Sequence, residues 1–203
     1  MTIDKKEKYI AELKSTFLSY SQISRESLFL IESIVQFQML KKEEILLREG
    51  QTARNLHFIC KGAVRAYFSD DDGNTYNKNI FLERNIAGST VSLLLNKPSH
   101  FALQALEDCV IINLNFKKYK GLINQHNDIK NFYIAYLEKN WVIEKEQREI
   151  SLVMENATVR YLKLLQQHPN IDKRISLLHI ASHLGITPTQ LSRIRKELNK
   201  NNK

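Results

Sequence analysis

Leu56-His57-Phe58-Ile59-Cys60-Lys61-Gly62-Ala63-Val64-Arg65-Ala66-Tyr67-Phe68-Ser69-Asp70-Asp71-Asp72-Gly73-Asn74-Thr75-Tyr76-Asn77-Lys78-Asn79-Ile80-Phe81-Leu82 is the stretch that decides the fold. Short runs rich in branched and aromatic residues alternate with turn residues. Asp72-Gly73 between two such runs is a hairpin signal, because both residues tolerate positive φ. The pattern continues outward, with strand candidates at 44–48, 56–60, 63–68, 76–82, 102–106 and 110–114 and a further turn at Glu49-Gly50. Short strands separated by turns every ~8–12 residues predict a small sandwich or barrel.

Helical periodicity flanks this region. Residues 9–20 and 26–37 place apolar side chains at spacings of three and four, which predicts two short amphipathic helices, the second capped by Ser24. Downstream, Ile129, Phe132, Tyr136, Ile143, Ile150, Val153 and Ala157 form an imperfect heptad stripe, with Lys139 and Glu146 in the remaining seam positions. Neither proline nor glycine interrupts Asp128 to Leu165. A helix this long exceeds what one small domain covers, so the stripe predicts a homodimer joined through Ile129, Phe132, Tyr136, Ile143 and Ile150. Packing of the stripe along its own β domain is the alternative. His168-Pro169-Asn170 then ends a helix and marks a hinge.

Composition narrows the function classes. The chain has 203 residues, 30 Lys plus Arg against 22 Asp plus Glu, and a net charge of +8. Two cysteines, Cys60 and Cys109, cannot build a four-thiolate zinc or iron–sulfur site, and their apolar surroundings predict buried, reduced thiols. No metal or other cofactor is expected. The charged segment Met1 to Lys8 does not resemble a signal peptide, and no apolar run approaches the ~20 residues that span a bilayer, so a cytoplasmic protein without membrane contact is expected. From Ala157 onward nine basic residues (Arg160, Lys163, Lys173, Arg174, Arg193, Arg195, Lys196, Lys200, Lys203) meet only Asp172 and Glu197, a balance of +7. The preceding residues carry 21 basic and 20 acidic side chains, a balance of +1. A basic block beside a neutral body suits a polyanionic partner.

That block has the grammar of a helix-turn-helix. Ala181 is small where two helices cross, Gly185 supplies the positive φ of the turn, and Thr187 caps a second helix that begins at Pro188. Ile180, Leu184, Ile186, Leu191, Ile194 and Leu198 form the shared core. The second helix then projects Thr189, Gln190, Arg193 and Lys196. Its first turn is the part of a recognition helix that reaches base edges in the major groove, where Arg suits guanine and Gln suits adenine. Thr187, Arg195, Lys196 and Lys200 are predicted phosphate contacts. With Pro188 and Ser192 from the same surface, these residues are the predicted interface to double-stranded DNA.

A β-roll of this size, a long helix and a C-terminal helix-turn-helix resemble the Crp/Fnr superfamily of bacterial transcription regulators. The residues that carry the match are Glu44-Ile45-Leu46-Leu47-Arg48-Glu49-Gly50, Leu56-His57-Phe58-Ile59-Cys60-Lys61-Gly62 and the run from Ile180 to Ile194, which looks like the subgroup common in Bacteroidetes-type bacteria. The resemblance implies an α+β chain. An N-terminal double-stranded β-helix, jelly-roll-like and cyclic-nucleotide-binding-like, is the sensor (residues 1–127). A dimerisation helix (128–156) and a helix-turn-helix DNA-binding domain (157–203) follow. It also implies a homodimer on a pseudo-palindromic site, with RNA polymerase as the partner of an activator, although no motif announces a surface for polymerase.

Two departures matter. Relatives that bind cyclic nucleotide use a Gly-Glu pair and, some ten residues on, an Arg-Ser or Arg-Thr pair. The carboxylate holds ribose and the guanidinium neutralises phosphate. The matching positions here are Gly88-Ser89 and Ser99-His100, so Gly88, Ser89, Thr90, Ser99 and His100 mark the implied effector pocket without its acid or its arginine. Ordinary cyclic AMP binding is therefore not expected, and any effector is an unknown small molecule. The sequence also ends at Lys203, so no strands of a wing are expected after the recognition helix, and the winged helix is truncated. A small-ligand sensor whose occupancy gates DNA binding remains the alternative. His57, His100 and His126 are scattered, and no nucleophile sits beside a base, so no enzyme is expected and no catalytic residue is assigned.

Overall fold

A computed structural model describes residues 1–201. Two helices open the chain, α1 (Ile3–Leu18) and α2 (Arg25–Ser33). The Ser24 hydroxyl accepts from the Ser27 amide at 3.1 Å, so the predicted cap starts α2. Eight strands follow: β1 (Val35–Leu40), β2 (Ile45–Leu47), β3 (Asn55–Lys61), β4 (Val64–Ser69), β5 (Thr75–Phe81), β6 (Ile86–Ala87), then, after α3 (Thr90–Leu95), β7 (Ala102–Ala105) and β8 (Cys109–Asn115). They form two four-stranded antiparallel sheets of order β1-β8-β3-β6 and β2-β7-β4-β5. Phe58, Ile59, Leu103, Ile111 and Ile112 are essentially inaccessible, and because successive strand residues alternate faces, the sheet of β3 and β8 is covered on both sides. A Cβ at Gly62, where φ is +95°, would lie 2.6 Å from Cys109 Sγ, so this turn admits only glycine. Cys60 and Cys109 are both buried free thiols, raised by burial to about 12 and about 11 respectively.

The end of the second predicted helix changes. The second helix, expected to reach Phe37, stops at Ser33, and Val35 to Leu40 instead pair in register with Leu114 to Cys109 of β8. The spacing of Ile31, Ile34 and Phe37 suits a helix, but pairing with the edge of β8 recruits these residues to the sheet. The strand β6 and the helix α3, both too short for a periodicity argument, are additional.

The helical half begins with α4 (Phe116–Gln125) and α5 (Asn127–Leu137). A π-helical stretch, Glu138–Ile143, joins α5 without a break to α6 (Glu144–Met154). The predicted seam divides here. Ile129 (0% exposed) and Phe132 (1%) are buried in their own chain, Phe132 stacked on Phe17 with centroids 4.0 Å apart, and so cannot meet a second copy. Tyr136 packs against Phe132 and Tyr20 in the same cluster. Only Ile143 (53%) and Ile150 (54%) of the five are exposed, together with Val142, Val153 and Met154. The first half of the stripe covers the chain's own core, and the wider π turn re-phases the apolar residues that follow. The chain continues through α7 (Ala157–Gln167), α8 (Ile171–Arg174), α9 (Leu177–Leu184) and α10 (Pro188–Asn201).

Candidate nucleic-acid interface and sensor pocket

The turn between α9 and α10 rests on local chemistry. Gly185 adopts φ +68°, and the Ile186 amide closes back on the Ala181 carbonyl at 3.0 Å, a glycine C-cap. The Thr187 hydroxyl accepts from the Gln190 amide at 3.1 Å and starts α10 at Pro188. Ile180, Ala181 and Leu191 are fully buried, Leu184 and Ile194 nearly so, and Ile186 and Leu198 pack against them. This core orients α10 so that Thr187, Pro188, Thr189, Gln190, Ser192, Arg193 and Lys196 are all exposed. They form one continuous polar and cationic face.

Arg195 departs from its predicted role. It is half-buried, and its guanidinium donates to Asp172 at 3.2 Å, a carboxylate that also accepts from the Tyr161 hydroxyl at 3.3 Å. It is a clamp between α8 and α10 rather than a free cation. Other basic residues of the block also turn inward. Arg160 donates to the carbonyls of Glu155 and Leu184, and Lys163 pairs with Glu155. Arg174 reaches Glu83 and Glu107 of the β domain, each at 2.7 Å. Burial opposes the ionisation of Glu83, but its bonds from Arg174 win and hold it below the usual carboxylate range. Lys173, Arg193, Lys196 and Lys200 remain exposed, and Lys203 lies outside the described residues. Ser192, Lys196, Asn199 and Lys200 line a shallow depression on α10.

The implied effector pocket is closed by its own side chains. Ser89 and Ser99 are each 2% exposed and share a hydrogen bond of 2.9 Å, and the Ser99 hydroxyl also lies 2.7 Å from the Phe101 carbonyl oxygen. Gly88 is buried against Leu56, Thr90 is half-buried, and His100 is exposed, away from the serine pair's burial. Of the five, Thr90 lines an apolar cavity together with Leu56, the residue against which Gly88 packs. This cavity lies between the sheet and α4–α5, lined also by Phe17, Leu114, Tyr119, Phe132 and Trp141. The buried Tyr119 hydroxyl finds no partner among the described residues, and burial raises its pKa far above the ordinary phenol value.

Sequence reasoning missed the polar junction between the halves. The Asn77 amide donates to the Ser182 hydroxyl at 2.8 Å, and its side-chain nitrogen donates to the His179 carbonyl at 2.9 Å. Arg65, 8% exposed and stacked over the Tyr67 ring at 3.8 Å, lies 3.3 Å from His179 Nδ1. Burial, with the Arg65 charge next in weight, lowers His179 to about 4, so this nitrogen accepts. The only signal in the sequence was an arginine inside an apolar strand.

Residues 37–126 match the cyclic nucleotide-binding domain family. No curated protein sequence matches the chain. Among solved structures, FixK2 from Bradyrhizobium japonicum superposes with a TM-score of 0.69 at 19% identity, covering 83% of this chain and 86% of its own. CLP from Xanthomonas campestris, described as a c-di-GMP-responsive global regulator, gives 0.67 at 14% identity over 88% and 93%. A Eubacterium rectale protein assigned to the Crp/Fnr family gives 0.66 at 17% over 88% and 85%. Residues 37–126 thus resemble a cyclic nucleotide-binding domain, and the chain has the fold seen in Crp/Fnr transcription regulators.

Proposed function

We propose that the chain is a homodimeric, sequence-specific DNA-binding transcription regulator, not an enzyme, whose β-roll does not respond to ordinary cyclic AMP. The observation that carries this reading is the α10 surface: Thr189, Gln190, Arg193 and Lys196 are exposed together on a helix whose opposite face is locked by Leu191 and Ile194. Gln190 and Arg193 read base edges, Lys196 and Lys200 hold phosphates, and Thr187 adds a hydroxyl at the helix start. The dimer forms through the exposed part of the long helix around Ile143 and Ile150. RNA polymerase is the partner through which such a regulator acts, and the work is done in the cytoplasm. Selection of bound duplexes from random DNA, without added nucleotide, tests the reading. A two-fold symmetric motif is the expected result, and recovery of unsorted, salt-sensitive DNA alone would overturn it.

A second reading, that a small ligand on the β-roll gates DNA binding, is favoured by the family match of residues 37–126. Titration calorimetry with cyclic AMP and cyclic GMP separates the two. Micromolar binding of either would reinstate nucleotide control despite Ser89 and Ser99.

A further inference from the structure

A carboxylate meets α10 at the edge of its cationic face. Arg195, Lys196, Asn199 and Lys200 stand three, four, seven and eight positions after Ser192, so the five share one side of the helix, and together they line a shallow depression. Ser192, Lys196 and Lys200 are exposed, whereas Arg195 is half-buried, beside the inward-facing Leu191 and Ile194.

Arg195 is held there from α8. Its Nη2 donates to Asp172 Oδ2 at 3.2 Å, and the Tyr161 hydroxyl donates to the same oxygen at 3.3 Å. Tyr161 is 2% exposed, so it fixes the carboxylate from the buried side. The Arg195 side chain is 36% exposed and that of Asp172 17%, so the pair sits where the depression opens to solvent. Arg160, Lys163 and Arg174 are also engaged by oxygens of their own chain, but none of them lines the depression. Arg195 is therefore the cation of this stripe that the fold itself neutralises. A carboxylate that takes a guanidinium donor cancels the charge a phosphate oxygen would meet. Phosphate contacts carry no sequence, so a cation withheld here lowers affinity for every duplex alike.

We propose that Asp172 is a positioning residue that withholds Arg195 from the DNA backbone and so sets the sequence-independent part of affinity. Lys196 and Lys200 hold the phosphate at the depression, and Gln190 and Arg193 keep the reading of bases. The inference rests on the DNA-binding reading above and deepens it. Weaker backbone affinity leaves the chain less sequestered on the unrelated duplex that surrounds its site.

Anisotropy titrations of the full chain on its selected duplex and on a scrambled one, over a series of salt concentrations, test this. Each variant is first checked for helix content and melting. Asp172→Asn should bind both duplexes more tightly, by roughly 3- to 10-fold at ~50 mM salt, with the slope of log affinity against log salt steeper by about one. Adding Arg195→Gln to that variant should abolish both gains. Arg195→Gln alone should keep the wild-type slope, whereas Lys196→Gln should lower it by about one. A pair that only stapled α8 to α10 predicts the reverse, an Asp172→Asn chain that melts earlier and binds more weakly. A folded Asp172→Asn chain with unchanged or weaker binding would overturn the inference alone. So would an Arg195→Gln chain whose slope falls as that of Lys196→Gln does, a result that decides the matter even where Asp172→Asn does not fold. Absence of salt-dependent binding by wild type to either duplex would overturn the DNA-binding reading and the inference with it.

Discussion

Ser89 and Ser99, ten positions apart and each 2% exposed, bond to one another at 2.9 Å where related nucleotide sites hold an acid and an arginine. Two small neutral hydroxyls satisfy each other and leave neither a carboxylate for a ribose nor a cation for a phosphate. Ser99→Ala should cost about 0.5–1.5 kcal/mol in urea denaturation, because Ser89 loses its buried partner. Replacing both serines by alanine should cost less than the sum of the two single changes, since no hydroxyl is then orphaned.

On α10 the expected effects divide by role. Arg193→Ala should lose about 1–3 kcal/mol on the preferred site and relax choice at one base pair. Lys196→Ala should weaken all sequences alike and reduce the slope of log affinity against log salt by about one. Binding isotherms on matched and scrambled duplexes at several salt concentrations check both. An unchanged sequence preference in Arg193→Ala would reject the docking of α10 described above.

The divided stripe of the long helix makes a sharper forecast than its sequence does. Ile143→Glu and Ile150→Glu, at exposed positions, should leave the fold intact and give monomers by sedimentation, with reduced DNA affinity. Phe132→Ala should instead lower folding stability by about 3–5 kcal/mol whatever the oligomeric state, because its ring is stacked on Phe17 inside the chain.

Acid should destabilise the protein through histidines held neutral. His57 is 5% exposed, and burial lowers it to about 4 against the opposing effect of its 2.6 Å bond to Asn113. The unfolded chain binds this proton near pH 6.5, the native state only near 4, so the native state holds fewer protons in between. Stability is therefore complete above pH 6.5 and falls as pH drops through that window, by about 1.4 kcal/mol per unit at most from this group. His183, lowered to about 3 by burial and then Arg148, and His179, lowered by burial and Arg65 with Lys42 adding and Glu43 opposing, act in the same direction at the junction. Urea midpoints should hold from pH 7.5 to about 6.5 and fall from there to 4.5, and His57→Gln should flatten the curve.

How much was legible from the residues depends on how local the cause was. Ser24 and Thr187 act on amides three positions away and the turn at Gly185 closes over five, so caps and turns were readable, and so was the hairpin at Asp72-Gly73. The alternating runs between Glu44 and Leu114 likewise specify strands by themselves. The polar face of α10 follows from the period of a helix with Leu191 and Ile194 on its inner side.

Other assignments needed partners far away in the chain. Whether Phe37 continues a helix or enters a strand depends on β8, about 75 residues later. Whether Phe132 faces a second copy or Phe17, and whether Arg174 and Arg195 meet phosphates or Glu83, Glu107 and Asp172, are long-range questions of the same kind. The hydrogen bonds of Asn77 and Arg148 arise only when an edge strand, a long helix and α9 come together. Sequence by itself determined the class of each element and the chemistry its faces carry, because those follow from neighbours a few bonds away. Tertiary packing alone decided which cations stay free and which apolar stripe stays exposed, because burial and pairing are properties of the assembled chain.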